Sequence, residues 1–288
     1  MKAAGRAPLA ALAACVAVTA CASRPAAPAA APADERSVTP GKFVWHDLVT
    51  DSPEACRRFY ATLLGWEFDD VERLGKPYAI ARRGTQRVAG IVSIDKAGAD
   101  KRSQWVSYVS VADVDKAVAE ATRAGGRSLV SAREIEGVAR AAVVADPEGA
   151  ALGFARIHAG DPPDEASPQE GRFFWMEYFA RDPEPALAFY TALLGYRSEV
   201  REQLAGLSYH VLLDTRARAG LLPVPQAGMR PAWLPYVKVA DPARLAAQAE
   251  SLGGAVLFAP RADVRKGTLA IVADPSGAPI ALQKWPIS

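Results

Sequence analysis

Alternating apolar and polar positions predict short strands and helices that recur along the chain in a fixed order. Residues 43–49 alternate and are rich in aromatic and β-branched side chains, which is typical of a strand. Residues 53–64 carry apolar side chains at helical spacing, after Ser52 as the expected N-cap and before Gly65 as the end. Three more strands are predicted at residues 66–71, 78–82 and 87–94. This segment is therefore predicted to be a βαβββ module.

The same order of elements follows a second time in the first half of the chain. Residues 104–111 predict a strand and residues 114–124 a helix, which Gly125 and Gly126 end. Three strands are predicted afterwards, at residues 127–132, 138–145 and 150–157. The first half therefore contains two βαβββ modules.

The second half repeats the first. Residues 43–66 return at 173–196, at a shift of 130 and without a gap. Nine positions are identical, where chance would match only about one position in fifteen: Phe43, Trp45, Pro53, Glu54, Phe59, Tyr60, Leu63, Leu64 and Gly65 recur as Phe173, Trp175, Pro183, Glu184, Phe189, Tyr190, Leu193, Leu194 and Gly195. The turn that begins at Asp146 returns at Asp274. The chain is a tandem duplication, with domains expected at residues 40–158 and 172–288 and a linker at 159–171.

The first residues of the chain resemble an export signal. Lys2 and Arg6 precede an apolar run over residues 7–20 that is too short to span a bilayer. The run ends in Val18-Thr19-Ala20-Cys21, which resembles the lipobox of bacterial lipoproteins. That resemblance implies a signal peptide at residues 1–20, cleavage before Cys21 and lipidation of Cys21. An ordinary cleaved signal is the alternative.

Lipidation at Cys21 would anchor the protein durably, since several acyl chains bind a membrane stably whereas a single chain binds it only reversibly. Residues 21–39 are rich in Ala and Pro and are expected to form an extended tether. Ala22 follows Cys21, so an Asp retention signal is absent and the periplasmic face of the outer membrane is the expected location. The membrane would be a partner through this anchor.

Charge argues against a nucleic-acid partner, and cysteine content excludes an intramolecular disulfide framework. Removal of residues 1–20 lowers the formal charge from +2 to zero, so nucleic acid is not an expected partner. Besides Cys21, the processed chain keeps only Cys56, so no intramolecular disulfide framework can form. Cys56 lies among apolar helical residues and is expected to be a buried, unreactive thiol.

The doubled βαβββ unit resembles the vicinal oxygen chelate superfamily. The resemblance rests on the Trp-x-Asp/Glu strand and on the helix with the pattern Pro-Glu … Phe-Tyr … Leu-Leu-Gly. That superfamily includes glyoxalase I, bleomycin-resistance proteins and extradiol dioxygenases, and the two-domain proteins related to lactoylglutathione lyase are the most similar. The resemblance covers residues 43–286. It implies an α+β fold of two tandem domains, each a pair of modules that curl into an open, barrel-like sheet. The activity does not follow, because one scaffold hosts many chemistries.

The resemblance also implies a divalent metal, held by His, Glu or Gln from the first and fourth strands of each module. The first strands offer His46 or Asp47 and, in the second domain, Glu177. The fourth strands, at residues 88–94 and 218–224, contain no such residue. Gly153 and Ala281 occupy the positions where the family has a Glu. We therefore expect no cofactor; a divalent metal is the alternative, with His46 as a weak candidate ligand.

Asp47 and Glu177 are the candidate catalytic residues. Each lies two residues from a tryptophan, Trp45 or Trp175, so the carboxylate and the ring share one face of a strand. Partial burial would raise the pKa of such a carboxyl group towards that of a useful general base. The alternative is a carboxylate that is solvated or paired with an arginine.

Aromatic residues recur at matched positions and could line a cleft for a flat or apolar ligand. The candidates are Trp45, Trp105, Tyr78 and Tyr108 in the first domain and Trp175, Trp233, Tyr209 and Tyr236 in the second. Packing beneath the helices is the alternative for each of them. Three functions stay open: a lyase- or isomerase-like enzyme, a protein that sequesters a small molecule, and a structural envelope protein. A homo-oligomer also stays open.

Overall fold

A computed structural model describes residues 37–94, 103–165, 167–204, 207–226 and 228–286. The expected signal peptide, Cys21 and most of the expected tether lie outside these residues. None of the described helices is both long and apolar enough to cross a membrane.

Each half of the chain forms one eight-stranded mixed sheet and two helices. The elements of the first half are β1 (Phe43–Thr50), α1 (Pro53–Leu64), β2 (Glu67–Arg73), β3 (Lys76–Arg83), β4 (Gln86–Ser93), β5 (Gln104–Ser110), α2 (Val114–Arg123), β6 (Arg127–Ile135), β7 (Ala139–Ala145) and β8 (Ala151–Ile157). Those of the second half are β9 (Phe173–Ala180), α3 (Pro183–Leu194), β10 (Arg197–Leu204), β11 (Leu207–Leu213), β12 (Ala217–Pro223), β13 (Ala232–Lys238), α4 (Pro242–Ser251), β14 (Ala255–Phe258), β15 (Leu269–Ala273) and β16 (Pro279–Gln283). The α+β class and the duplicated βαβββ modules are confirmed.

The two sheets have the same strand order. It is β2-β3-β4-β1-β5-β8-β7-β6 in the first domain and β10-β11-β12-β9-β13-β16-β15-β14 in the second. The opening strand of each domain lies in the middle, parallel to the fourth strand and antiparallel to the fifth. Residues on β1 and β9 are therefore at the centre of their sheets.

The predicted end of α1 is confirmed, but its predicted N-cap is not. Gly65 takes a left-handed conformation, with φ of 66°, and ends α1 as expected. Ser52 precedes the helix, but its side chain does not cap it. The Ser52 hydroxyl instead donates a hydrogen bond to Asp51 Oδ1 at 2.9 Å.

Each sheet has a helix-covered face and a second face that we call the inner face. Inner-face residues of the first domain, such as Trp45, Ile80, Tyr108, Ile135 and Ala155, form one buried cluster drawn from strands and turns alone. Because no helix covers this cluster, burial requires the sheet to curl around it. The second domain has an equivalent cluster, which contains Phe179, Tyr209 and Tyr236.

The helix-covered faces of the two domains pack against each other. One shared core joins α1 residues, including Phe59, to α4 residues, including Leu245. The other joins residues of α2, including Ala117, to residues of α3, including Leu187. The first module of each domain therefore packs on the second module of the other domain.

Two matched hydrogen-bond chains cross between the domains. Tyr60 on α1 donates to Asp274 Oδ2 at 3.0 Å, and the indole of Trp105 donates to the Tyr60 hydroxyl at 3.1 Å. In the second chain Tyr190 donates to Asp146 Oδ2 at 2.6 Å, and Trp233 donates to Tyr190 at 2.9 Å. The repeated Phe-Tyr and Asp-Pro motifs are thus links between the two halves.

Candidate ligand sites on the inner faces

Asp47 lies at the centre of the inner face of the first domain. It is opposite Val106 on β5 and beside Gly90 on β4, while Trp45 lies opposite Tyr108. Asp47 Oδ1 accepts hydrogen bonds from the indole of Trp45 at 2.9 Å and from the hydroxyl of Tyr78 at 2.8 Å. The exposed fraction is at most 6% for these side chains and for Tyr108. Three aromatic residues thus enclose one carboxyl group.

Burial decides the protonation state of Asp47. It raises the pKa of this carboxyl group from 3.8 to about 8, although hydrogen bonds from Tyr78 and Tyr108 act in the opposite direction. Among the described residues, no ion pair involves Asp47. The carboxyl group is therefore mostly protonated at neutral pH and can exchange its proton near that pH.

Glu177 takes the same place in the second domain but has a charged partner. Its carboxylate accepts hydrogen bonds from Tyr209 at 2.9 Å and from Tyr236, and it forms an ion pair with Arg265. The indole of Trp175 donates to the Tyr209 hydroxyl at 3.0 Å. The inner faces thus share a carboxyl group, a tryptophan and two tyrosines, and they differ in the arginine.

Glycine on the fourth strand makes room for the bond between tyrosine and carboxyl group. A Cβ atom at Gly90 would lie 1.8 Å from the Tyr78 hydroxyl and 2.4 Å from Asp47 Oδ1. At Gly220 it would lie 2.1 Å from the Tyr209 hydroxyl. Gly153 is equally close to the ring of Tyr108. Any larger residue at these three positions would displace the aromatic side chains.

Trp105 and Trp233 do not lie on the inner faces. Trp105 is opposite Leu48 on the helix-covered face, and Trp233 belongs to the core shared by α2 and α3. The expectation that they line a cleft is wrong. The sequence held the signal, since Trp105 and Tyr108 are three residues apart on one strand and so point to opposite faces. Trp233 and Tyr236 have the same spacing.

His46 also faces away from Asp47. Its ring stacks on Phe173 with 4.0 Å between centroids, and Nδ1 is 2.8 Å from the hydroxyl oxygen of Ser107. Burial lowers the pKa of His46 to about 3, so the ring is neutral. His46 is therefore a packing residue between the domains, and its weak candidacy as a metal ligand is not supported.

Cys56 is fully buried on α1, and burial raises the pKa of its thiol to about 11. The thiolate that would react is therefore disfavoured at neutral pH.

Comparison with known proteins decides the family. The model of a family described as "Glyoxalase-like domain" matches residues 44–154 and again residues 172–283. A Mycobacterium bovis protein named "Putative glyoxylase CFP32" is 32% identical over 246 residues, which cover 83% of this chain and 93% of the relative. The chain belongs to the glyoxalase-like domain family. The anthracycline biosynthesis protein DauV of Streptomyces sp. strain C5 is 29% identical over 255 residues, covering 83% of this chain and 91% of the relative.

Solved structures extend the likeness of these glyoxalase-like domains to the vicinal oxygen chelate fold. A Mn(II)-bound glyoxalase from Novosphingobium aromaticivorans superposes with a TM-score of 0.57 at 14% identity, over 86% of this chain and 83% of that one. The 2,2',3-trihydroxybiphenyl 1,2-dioxygenase of Sphingomonas wittichii gives a TM-score of 0.57 at 17% identity, over 86% and 91%. At these identities the likeness shows the fold alone. Together with the match to the glyoxalase-like domain family, this fold confirms the predicted superfamily.

A divalent metal does not fit either glyoxalase-like domain. Among the described residues, no three His, Cys, Asp or Glu side chains come together as a metal-binding group. Each inner face buries one carboxyl group, Asp47 in the first domain and Glu177, paired with Arg265, in the second. A metal site needs about three deprotonated donors. The tyrosines beside the carboxyl groups have raised pKa values through burial, so they stay protonated.

Arg265 is the site residue that sequence reasoning missed. It lies in the turn between β14 and β15, and at the shift that relates the two turn aspartates its counterpart is Gly137. The repeat therefore gave no signal for it. The connection has the same sequence length in both halves, and only the structure shows that β14 ends at Phe258 and leaves a longer turn before β15.

Proposed function

We propose that the chain binds a small organic molecule at the inner face of the first domain, and that Asp47 moves a proton next to a carbonyl group there. The reaction would be a lyase- or isomerase-like step. The observation that carries this proposal is a fully buried carboxyl group with a pKa near 8, held by an indole and a phenol. Such a pKa suits a group that both accepts and returns a proton near neutral pH. The aromatic rings supply an apolar wall for the ligand.

Strand β6 offers the ligand a way in. It is the last strand of its sheet and pairs with β7 through a register that shifts twice, between Ser128 and Val130 and between Val130 and Arg133. Val130 and Ile135 on this strand pack into the cluster that contains Tyr78 and Tyr108. Edge strands with irregular pairing open at lower cost than central strands. Outward movement of β6 would uncover Asp47.

The names of two relatives agree with this function. One is called a glyoxylase and the other an anthracycline biosynthesis protein, and both names refer to the chemistry of small organic molecules. Both relatives align with more than four-fifths of this chain, so the comparison includes both domains.

A ligand screen with matched variants tests the proposal. Aromatic and aliphatic carbonyl compounds would be screened by thermal shift, since a ligand of the native state raises its melting temperature. For a compound that binds, we expect Asp47→Asn to lower turnover at least about 100-fold while affinity changes little. Glu177→Gln, in the other domain, is the matched control and should leave this turnover unchanged.

Two outcomes would count against parts of the proposal. If the bound compound is recovered unchanged from the wild type, the first domain sequesters its ligand as a bleomycin-resistance-type protein would. If turnover survives in Asp47→Asn, the proton is moved by another group.

We also propose that the protein is anchored at Cys21 to the periplasmic face of the outer membrane. The lipobox-like Val18-Thr19-Ala20-Cys21 supports this location. Cells that express the full chain with a radiolabelled fatty acid should label the wild type and leave Cys21→Ser unlabelled. A wild-type protein that is secreted without label would contradict the anchor.

A further inference from the structure

The guanidinium group of Arg265 lies on the inner face of the second domain, beside Glu177. It forms an ion pair with Glu177, whose side chain is 2% exposed, and lies 5.6 Å from the ring centroids of both Tyr209 and Tyr236. A buried carboxylate between aromatic faces is an arrangement that proteins use to bind organic cations. Arg265 is itself such a cation, supplied by the chain.

Arg265 reaches this position from a strained turn. Arg265, Lys266 and Gly267 have φ values of 46°, 55° and 74°, and two of these three left-handed residues carry a Cβ atom. A left-handed conformation is unfavourable for such residues, because the Cβ atom comes too close to the following carbonyl oxygen. Strain of this kind persists where neighbouring contacts enforce it and is concentrated at ligand clamps and switches.

Two buried side chains hold the turn in place. The Thr268 hydroxyl donates to the carbonyl oxygen of Arg265. The amide of Gln283 donates to the carbonyl oxygen of Thr268 at 2.9 Å and to its hydroxyl at 2.7 Å. These bonds fix the end of the turn, so the Arg265 side chain can leave while the strand that follows stays in place.

The hydrogen bonds of Arg265 are also incomplete. Its Nη2 donates to Glu177 and lies 3.4 Å from the Tyr209 hydroxyl, whereas its Nε is buried and has no hydrogen-bond partner among the described residues. A buried donor without a partner destabilises the folded state. A free ligand with the same charge and better-placed donors would avoid this cost.

We propose that the second domain binds a small organic cation, an amine or guanidine attached to an apolar group, and that Arg265 occupies this site until the ligand displaces it. Glu177 takes the charge, and Tyr209, Tyr236 and Trp175 enclose the apolar part. The charge of Glu177 also opposes an anionic ligand at the same place. The first domain differs, because Asp47 is uncharged at neutral pH. This proposal is independent of any reaction at Asp47.

Chemical rescue of the full chain tests the proposal. Arg265→Ala leaves the charge of Glu177 buried without a cationic partner, so the melting temperature should fall. Methylguanidinium at millimolar concentration should then raise the melting temperature of this variant saturably, because it binds only the native state. Its affinity for the wild type should be at least about tenfold weaker, since Arg265 competes for the site. Methylurea, which is neutral and has almost the same shape, should have no such effect.

Three variants complete the test. Arg265→Gln keeps the side chain as far as Cδ but removes the charge, and it serves if Arg265→Ala does not fold. Arg261 lies near the same turn and forms an exposed ion pair with Asp263. The Arg261→Ala variant should therefore respond to methylguanidinium as the wild type does. Glu177→Gln combined with Arg265→Ala should lose the rescue. Equal effects of methylguanidinium and methylurea on both Arg265 variants would overturn the proposal, as would rescue that survives the loss of Glu177.

Discussion

Replacing Tyr60 and Tyr190 together by phenylalanine is expected to lower the free energy of unfolding by about 2–6 kcal/mol. Each hydroxyl is buried, donates to an aspartate of the other domain and accepts from a tryptophan of its own domain. Its removal leaves a buried carboxylate oxygen and an indole N–H without this partner, at about 1–3 kcal/mol for each tyrosine. The two sites are separate, so the single effects should add.

Denaturant unfolding of the two single variants and the double variant measures this loss. Tyr236→Phe is the matched control, because it removes a buried hydroxyl that bonds within one domain. The control should be destabilised while both domains still unfold together. The double variant should separate the unfolding of the two domains or weaken both. A free energy of unfolding within about 0.5 kcal/mol of the wild type would show that the Tyr–Asp chains do not hold the domains together.

The pH dependence of stability is the second large effect. The pKa of Asp47 is about 8 in the folded protein and near its ordinary value of 3.8 when unfolded. Between these values the folded state keeps a proton that the unfolded state releases, so stability falls as pH rises from about 4 to about 8. Below this window both states are protonated, and above it the loss is complete. The full effect is about 6 kcal/mol at most.

Asp47→Asn should remove this part of the pH dependence, because an amide does not titrate. Urea unfolding at pH 5 and pH 8 should show a variant that gains stability relative to the wild type at the higher pH. Asp70→Asn, which changes an exposed carboxylate on β2, is the control and should differ from the wild type by a similar amount at both values. An Asp47→Asn difference that is the same at pH 5 and pH 8 would contradict a buried, protonated Asp47.

Local patterns were enough to predict the modules, and strand parity was enough to predict most of the inner face. Trp45 and Asp47 are two residues apart, and the register places them together on β1. The same rule, applied to Trp105 and Tyr108, would have put Trp105 on the helix-covered face. The matched positions of Tyr78 and Tyr209 correctly indicated an equivalent place in both domains.

Contacts between distant parts of the chain were beyond the sequence pattern. Tyr60 and Asp274 are 214 residues apart, and a repeated motif does not tell whether Tyr60 bonds to the aspartate of its own half or of the other. Arg265 meets Glu177 across 88 residues from a turn that the first half does not share. Such pairs depend on how the sheets curl and pack, which strand and helix periods do not determine.

The two halves have diverged at the same position of one scaffold. Asp47 is surrounded by neutral donors, whereas Glu177, one methylene longer, meets a guanidinium group. This difference supports the proton transfer that we propose for the first inner face and the cation binding that we propose for the second. Both domains keep one tryptophan and two tyrosines around the carboxyl group, and they differ in the charges at that position.

Titration of the Asp47 carboxyl carbon by NMR tests this account most directly. The full chain with 13C-labelled aspartate would be followed from acid to alkaline pH, and the Asp47→Asn spectrum would identify the signal. We expect a midpoint near 8, well above those of the exposed aspartates. A midpoint below about 5 would mean that the carboxyl group is charged at neutral pH, and the proposed role of the first domain would fail.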